Sequence, residues 1–229
     1  MTTAVFTTGP FTFELLPERA LWWPDHATLF IADPHFGKAA TYRALGQPVP
    51  SGTTGQTLEA LDRALARTSA RQLVVLGDFL HARQAHQASV MGALADWRAR
   101  HASLKCVLVR GNHDDRAGDP PATLNFDIHD EPWMMDGLAC CHIPPAELPQ
   151  DATYALAGHV HPVTVVRGRG RDQLRLPCFD MGPRLGVLPA FGAFTGGWNV
   201  PALPGHTLGL IADDVVLCRH VPAQADSMA

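Results

Sequence analysis

The stretch LKCVLVRGNHDDR, residues 104–116, decides the fold. Its first six residues form an apolar run of the length of one buried strand. The run breaks at Gly111 into Asn112, His113, Asp114 and Asp115, four polar side chains in direct succession. One such string reads as a polar turn. Repeated at other strand ends it reads as a site, because ligands of open α/β sheets gather where the strands finish.

Upstream, ATLFIA (27–32) and QLVVLGD (72–78) are buried strands of the same kind. The first is followed by a Gly- and Pro-punctuated loop through GQPVPSGTTG (46–55). Residues 54–68 place Leu58, Leu61 and Leu65 at helical spacing, and HQASVMGALADWRARH (86–101) is a second amphipathic helix. Strand, helix, strand, helix, strand implies parallel βαβ units. FTFELL (11–16) and RALWW (19–23) read as an opening hairpin. Beyond about residue 125 the segments NFDIH, PWMMDGLACCH, TYALAGH, PVTVVRG, DQLRLPCF and LGLIADDVVLCRH are short strands without a long helix between them. The expectation is an α/β half followed by a β-rich half, in one domain spanning 1–229.

At 46% apolar and 17% charged, the 229 residues can bury a sizeable core and are unlike a disordered chain. A net charge of -4 argues against coating nucleic acid by bulk electrostatics, while leaving room for a local basic path or a cationic centre. The five cysteines are odd in number and lack CxxC spacing, so they read as buried free thiols. With no signal segment and no membrane-length apolar run, a cytoplasmic protein without membrane attachment is expected.

Four more strand ends line up with the first. LFIADPH delivers Asp33 and His35, LVVLGDFLH delivers Asp78 with His81 behind it, LACCH ends in His142, and YALAGHVH ends in His159 and His161. Alternation along extended chain would turn His159 and His161 the same way. Two carboxylates, the Asn112 amide and four imidazoles make seven ligands, with His113 left over. That is too many for one ion and suits two divalent ions sharing a carboxylate. Imidazole and oxygen donors fit Mn, Fe, Ni or Zn, and the lack of thiolate argues against structural zinc. Two divalent ions outweigh Asp33 and Asp78, so an anionic, phosphate-like guest is expected.

The ordered set Asp33-Pro34-His35, Gly77-Asp78, Gly111-Asn112-His113-Asp114, His142 and Gly158-His159-Val160-His161 resembles the calcineurin-like metallophosphoesterases. The resemblance implies an α/β fold, a four-layer α/β/β/α sandwich of two mixed β-sheets flanked by helices. It implies that Asp33, His35, Asp78 and His161 hold one metal, and that Asp78, Asn112, His142 and His159 hold the other, with Asp78 bridging. It also implies that His113 faces substrate as a catalytic acid, with Asp114 hydrogen-bonded to its imidazole. The reaction implied is hydrolysis by a metal-activated hydroxide. Protein phosphatases of this family carry a second Asp where His81 stands, which separates this chain from them. Relatives that serve as non-enzymatic scaffolds lose the catalytic histidine that is present here.

The stretches at 33–61 and 188–197 further resemble the bacterial ligase-associated DNA damage response phosphoesterases. That branch implies a manganese-dependent endonuclease preferring single-stranded DNA, associated with an ATP-dependent DNA ligase, a helicase and an exonuclease. Its usual leucine is Pro34 here. The alternative within the family is a small-molecule phosphodiesterase or pyrophosphatase, which a deep closed pocket would favour. Lys38, Arg43 and His81 are candidate substrate contacts. The FGAFTGG segment (191–197) is either a loop beside substrate or a tight turn packing Phe191 and Phe194. Arg167, Arg169, Arg171 and Arg175 either decorate a hairpin or guide a DNA strand. The five tryptophans are too scattered in sequence to form a stacking platform. The sequence leaves the oligomeric state open.

Overall fold

Strands buried on both faces make the centre of the first sheet, and their alternating side chains feed two different cores. The computed structural model describes residues 2–223. The first sheet runs β1 (Ala4–Thr8), β2 (Phe11–Leu15), β3 (Leu21–Trp23), β4 (Thr28–Ala32), β5 (Gln72–Leu76), β6 (Lys105–Val109) and β7 (Phe126–His129) in that spatial order. Its pairing is antiparallel as far as β4 and parallel from there on. The register aligns Ala32 with Leu76 and Leu76 with Val109, so β4, β5 and β6 finish flush.

The crossovers carry α1 (Lys38–Ala44), α2 (Thr53–Thr68) and α3 (Ala88–Arg100), and α4 (Asp114–Ala117) is a single turn after β6. Leu58, Leu61 and Leu65 of α2 are buried as their spacing predicts, packed with Leu94 and Trp97 of α3 over Leu29, Ile31, Leu73, Val75 and Leu108. The alternate residues Phe30, Ala32, Val74, Leu76, Val107 and Val109 face the second sheet. This double burial is why these strands read as continuous apolar runs.

The second sheet is built from β8 (Trp133–Met135), β9 (Leu138–Cys140), β10 (Tyr154–Ala157), β11 (Pro162–Arg167), β12 (Gln173–Met181), β13 (Leu185–Val187), β14 (Trp198–Asn199), β15 (Thr207–Ala212) and β16 (Val215–His220). Parallel pairs β9–β10 and β10–β13 make it mixed. Two mixed sheets flanked by helices are therefore the architecture, with the helices few. Over the outer face of the second sheet, Ala139, Cys141, Ala155 and Ala157 pack against Leu148 and Ala152 of a loop.

Several elements differ from the sequence reading. The 33–55 segment contains α1 as well as loop, and β1, β13 and β14 are additional short strands. The run LGLIADDVVLCRH is two strands, because Asp213 takes a left-handed φ of 48° and turns the chain into a hairpin. Cys106, Cys140, Cys141 and Cys178 are buried free thiols, while Cys218 is exposed. Among the described residues no helix is long and apolar enough to cross a membrane.

Candidate metal centre

The flush ends of β4, β5 and β6 set three candidate ligands on a staircase, with Asp33 one residue past its strand, Asp78 two and Asn112 three. From the second sheet, β9 brings His142 and β10 brings His159 and His161 to the same place. Asp33, His35, Asp78, His159 and His161 all have positive φ, between 46° and 66°. Asp, Asn and His enter this region more readily than other side-chain-bearing residues, though still at a cost. The convergence of His159 and His161 is thus due to left-handed backbone. They do not lie in extended chain, which corrects the expectation from alternation.

Asp33 spends one oxygen on backbone and keeps the other for the centre, whereas Asp78 Oδ1 both accepts a backbone N–H and faces His142. Asp33 Oδ2 accepts the His159 N–H at 2.9 Å, and Asp78 Oδ1 accepts the His113 N–H at 2.9 Å. Asp33 Oδ1 lies 3.4 Å from His161 Nε2, and Asp78 Oδ2 lies 3.7 Å from His35 Nε2. Asp33 Oδ1 and His161 Nε2 are buried without a hydrogen-bond partner. Burial holds the His35 imidazole far below its usual pKa, with the Lys38 charge adding to the effect, so its ring is neutral and free to ligate. The Asp78 carboxyl is pushed upward, chiefly by burial.

The second group is more telling. His142 Nδ1 lies 3.2 Å from the Leu76 carbonyl, which can only accept, so the proton sits on Nδ1 and Nε2 carries a lone pair. That Nε2 faces Asn112 Oδ1 at 2.9 Å, His159 Nδ1 at 3.1 Å and Asp78 Oδ1 at 3.4 Å. Two imidazole nitrogens, an amide oxygen and a carboxylate oxygen thus converge on one point, a donor set that a divalent cation would satisfy. The residues present therefore fit two cations. Asp33, His35 and His161 form one tight cluster, and Asp33, Asp78 and His142 another.

Two motif glycines have a spatial reason. At Gly77 (φ 76°) a Cβ would collide with the His142 imidazole, and at Gly111 it would collide with Asp78. Gly111 has no positive φ, so its role is close approach and not the sharp turn that its place at the strand end suggests.

Asp114 corrects a second expectation. Its carboxylate accepts the Gly111 N–H at 2.9 Å and the Leu80 N–H at 3.2 Å, tying β6's exit to the loop after β5. Burial pushes its pKa up to about 6 despite those two amides. The His113 imidazole is instead oriented by the His81 carbonyl, 2.8 Å from Nδ1, leaving Nε2 toward the centre at 3.9 Å from Asp78. The sequence hid this because the orienting group is a backbone carbonyl. Asp114→Ala strands two buried donors and is expected to lower stability by about 2–4 kcal/mol in denaturant titration. Asp114→Asn, which keeps one acceptor, should recover part of that loss.

The three candidate substrate contacts divide. Half-buried Lys38 borders the centre with His35, and burial lowers its pKa against the pull of Asp33 and Asp78. His81 stacks on His113 with ring centroids 5.0 Å apart, and burial lowers its pKa to about 4. His35, His81 and His113 also bring their nitrogens together in a third cluster. Arg43 is not brought in. Five helical residues beyond Lys38 it points elsewhere, exposed, and donates to the Pro50 carbonyl at 2.7 Å.

The FGAFTGG segment packs Phe191 but not Phe194 into the core, since Phe194 is only half-buried. Phe191 is buried in the core, its N–H bonded to the Ala32 carbonyl at 2.8 Å. Ala193, Phe194, Thr195 and Gly196 line an open groove of about 580 Å³ with Lys38 and Tyr42. Arg167, Arg169, Arg171 and Arg175 are exposed on the β11–β12 hairpin.

The family model for calcineurin-like phosphoesterases matches residues 26–180. The crystal structure of the Pseudomonas putida nuclease MPE is 43% identical, covers 94% of this chain and 100% of that one, and superposes with a TM-score of 0.81. A protein of unknown function from Aquifex aeolicus shares 22% identity over 63% of this chain and 81% of its own, with a TM-score of 0.43. The E. coli phosphoesterase Yfce shares 19% over 85% and 98%, with a TM-score of 0.39. Neither of these two carries weight here. No curated protein matches.

Proposed function

Since the chain belongs to the calcineurin-like phosphoesterases and is thus a metal-dependent hydrolase of phosphoester bonds, we propose that it is a two-metal endonuclease cutting single-stranded DNA in repair. The observation that carries the two-metal reading is the convergence of Asn112, His159 and Asp78 on His142 Nε2, beside the orphaned Asp33 Oδ1. In it, Asp33, His35, Asp78 and His161 hold one ion, and Asp78, Asn112, His142 and His159 hold the other. Manganese is the preferred occupant, since this N/O donor set suits Mn, Fe, Ni and Zn alike and the resemblance favours Mn.

Divalent ions bound there supply Lewis acidity toward a phosphoryl oxygen and lower the pKa of the attacking water. The chain's own residues do the rest. His113, anchored through Nδ1, offers a proton at Nε2 to the leaving oxygen. His81 packs against its ring and supplies the anchoring carbonyl. Lys38 offers a positive charge to a phosphate at the groove's edge.

Nuclease activity is supported by the likeness to a nuclease along 94% of the chain. An open groove also suits a polymer better than the closed pocket expected of a small-molecule phosphodiesterase. The repair setting, with a DNA ligase, helicase and exonuclease as functional associates in the cytoplasm, rests on the likeness at 33–61 and 188–197.

The test is a metal panel. Chelation with EDTA should reduce hydrolysis of bis-p-nitrophenyl phosphate and single-stranded DNA by about 10³-fold or more, and manganese should restore both. Metal-loaded protein that cut the small diester but left single-stranded, duplex and hairpin DNA whole would sink the nuclease reading.

A further inference from the structure

Beside the centre stands a surface that the hydrolytic chemistry does not use. Trp198 is 75% exposed, the largest exposure among the large hydrophobics of the described residues. It is nevertheless fixed: its N–H donates to the carbonyl of His161 at 2.9 Å, and β14 pairs in parallel with β11 at Pro162 and Val163. The indole therefore stands on a rigid edge, one backbone hydrogen bond from a proposed metal ligand.

The β11–β12 hairpin continues that edge outward. Register sets Trp198 beside Pro162, and two-residue alternation carries the same face through Thr164 to Val166, which pairs with Leu174. Val166 is 43% and Leu174 58% exposed, so an apolar strip leads away from Trp198. Arg175 lies on the opposite face, where its guanidinium reaches the Gly197 carbonyl, and Arg169 and Arg171 occupy the turn. Among the described residues none of Arg167, Arg169, Arg171 and Arg175 forms an ion pair with a carboxylate.

We propose that Trp198 and the β11–β12 hairpin bind single-stranded nucleic acid, a base stacking on the indole and phosphates meeting Arg169 and Arg171 at the turn. The inference rests on the nuclease reading and names the surface that guides its substrate. An apolar, aromatic strip bordered by unpaired cations matches a strand whose bases are splayed and whose backbone is anionic. A duplex keeps its bases stacked inside and offers none to the indole. A second copy would bring its own Arg169 and Arg171 against these, a like-charge arrangement that disfavours self-docking.

The experiment measures binding of a fluorescein-labelled 20-mer of deoxythymidine by anisotropy in EDTA, where nothing is cut. Trp198→Ala should weaken binding about 5- to 150-fold, the range for one stacked base, while manganese-dependent hydrolysis of bis-p-nitrophenyl phosphate stays at the wild-type rate. Trp198→Phe should recover most of the affinity. Arg169→Gln with Arg171→Gln should reduce the slope of log affinity against log salt by about 1.4. Unchanged binding by Trp198→Ala overturns the inference. So does a parallel loss of small-diester hydrolysis, which would make Trp198 a support for His161, or conversion of a wild-type dimer to monomer in sedimentation. Wild-type protein that binds the 20-mer through Trp198 yet cleaves no DNA would overturn the nuclease reading alone.

Discussion

Asp78→Asn is expected to lower kcat/KM for bis-p-nitrophenyl phosphate and for DNA together, by about 10³-fold or more. Asp78 reaches both proposed groups, with Oδ1 3.4 Å from His142 and Oδ2 3.7 Å from His35. The amide would keep an acceptor for the His113 N–H, so the fold around the site should survive. What disappears is the charge that would be shared by the two proposed cations. Metal analysis of the purified variant should accordingly find fewer than two ions per chain. A variant that retained both ions and wild-type turnover would remove Asp78 from its bridging role.

His113→Ala separates proton donation from binding. Loss of a positioned acid costs typically about 10² to 10⁴-fold. That loss should appear in full on DNA, where the departing sugar oxygen must take up a proton. It should be much smaller on bis-p-nitrophenyl phosphate, whose phenolate leaves unaided. Metal content should stay at two, because His113 belongs to neither proposed ligand set. Equal losses on both substrates would mean that Nε2 stabilises charge on the phosphate without passing a proton.

The sheet and the centre were legible for different reasons. Buried parallel strands announce themselves as apolar runs, so 27–32, 72–78 and 104–109 could be read directly, and with them the strand ends that carry the ligands. Polar or very short elements could not. β1 is half exposed, β14 has two residues, and α1 lacks an acidic first turn or a side-chain cap. Within the centre, side-chain identities named the candidate ligands, but backbone groups stayed hidden. The carbonyls of Leu76 and His81, which fix two imidazoles, are written by no residue type. Asp114 misled because its neighbour His113 was the obvious partner, whereas the turn of α4 sends its carboxylate to Gly111 and Leu80. Trp198 was invisible as a surface feature because its meaning lies in the strand beside it.

The flush finish of β4, β5 and β6 has a consequence for which ligand is shared. Asp33 and Asn112 leave the outer two of these three strands, and Asp78 leaves the middle one. A group on the middle strand has a neighbour on either side, while a group on a flank has only one. Strand order would thus favour Asp78 as the common carboxylate of the two proposed ions. An exchange of Asp33 with Asn112 would keep every atom type yet move charge to the other ion. The centre would then become lopsided without losing a ligand.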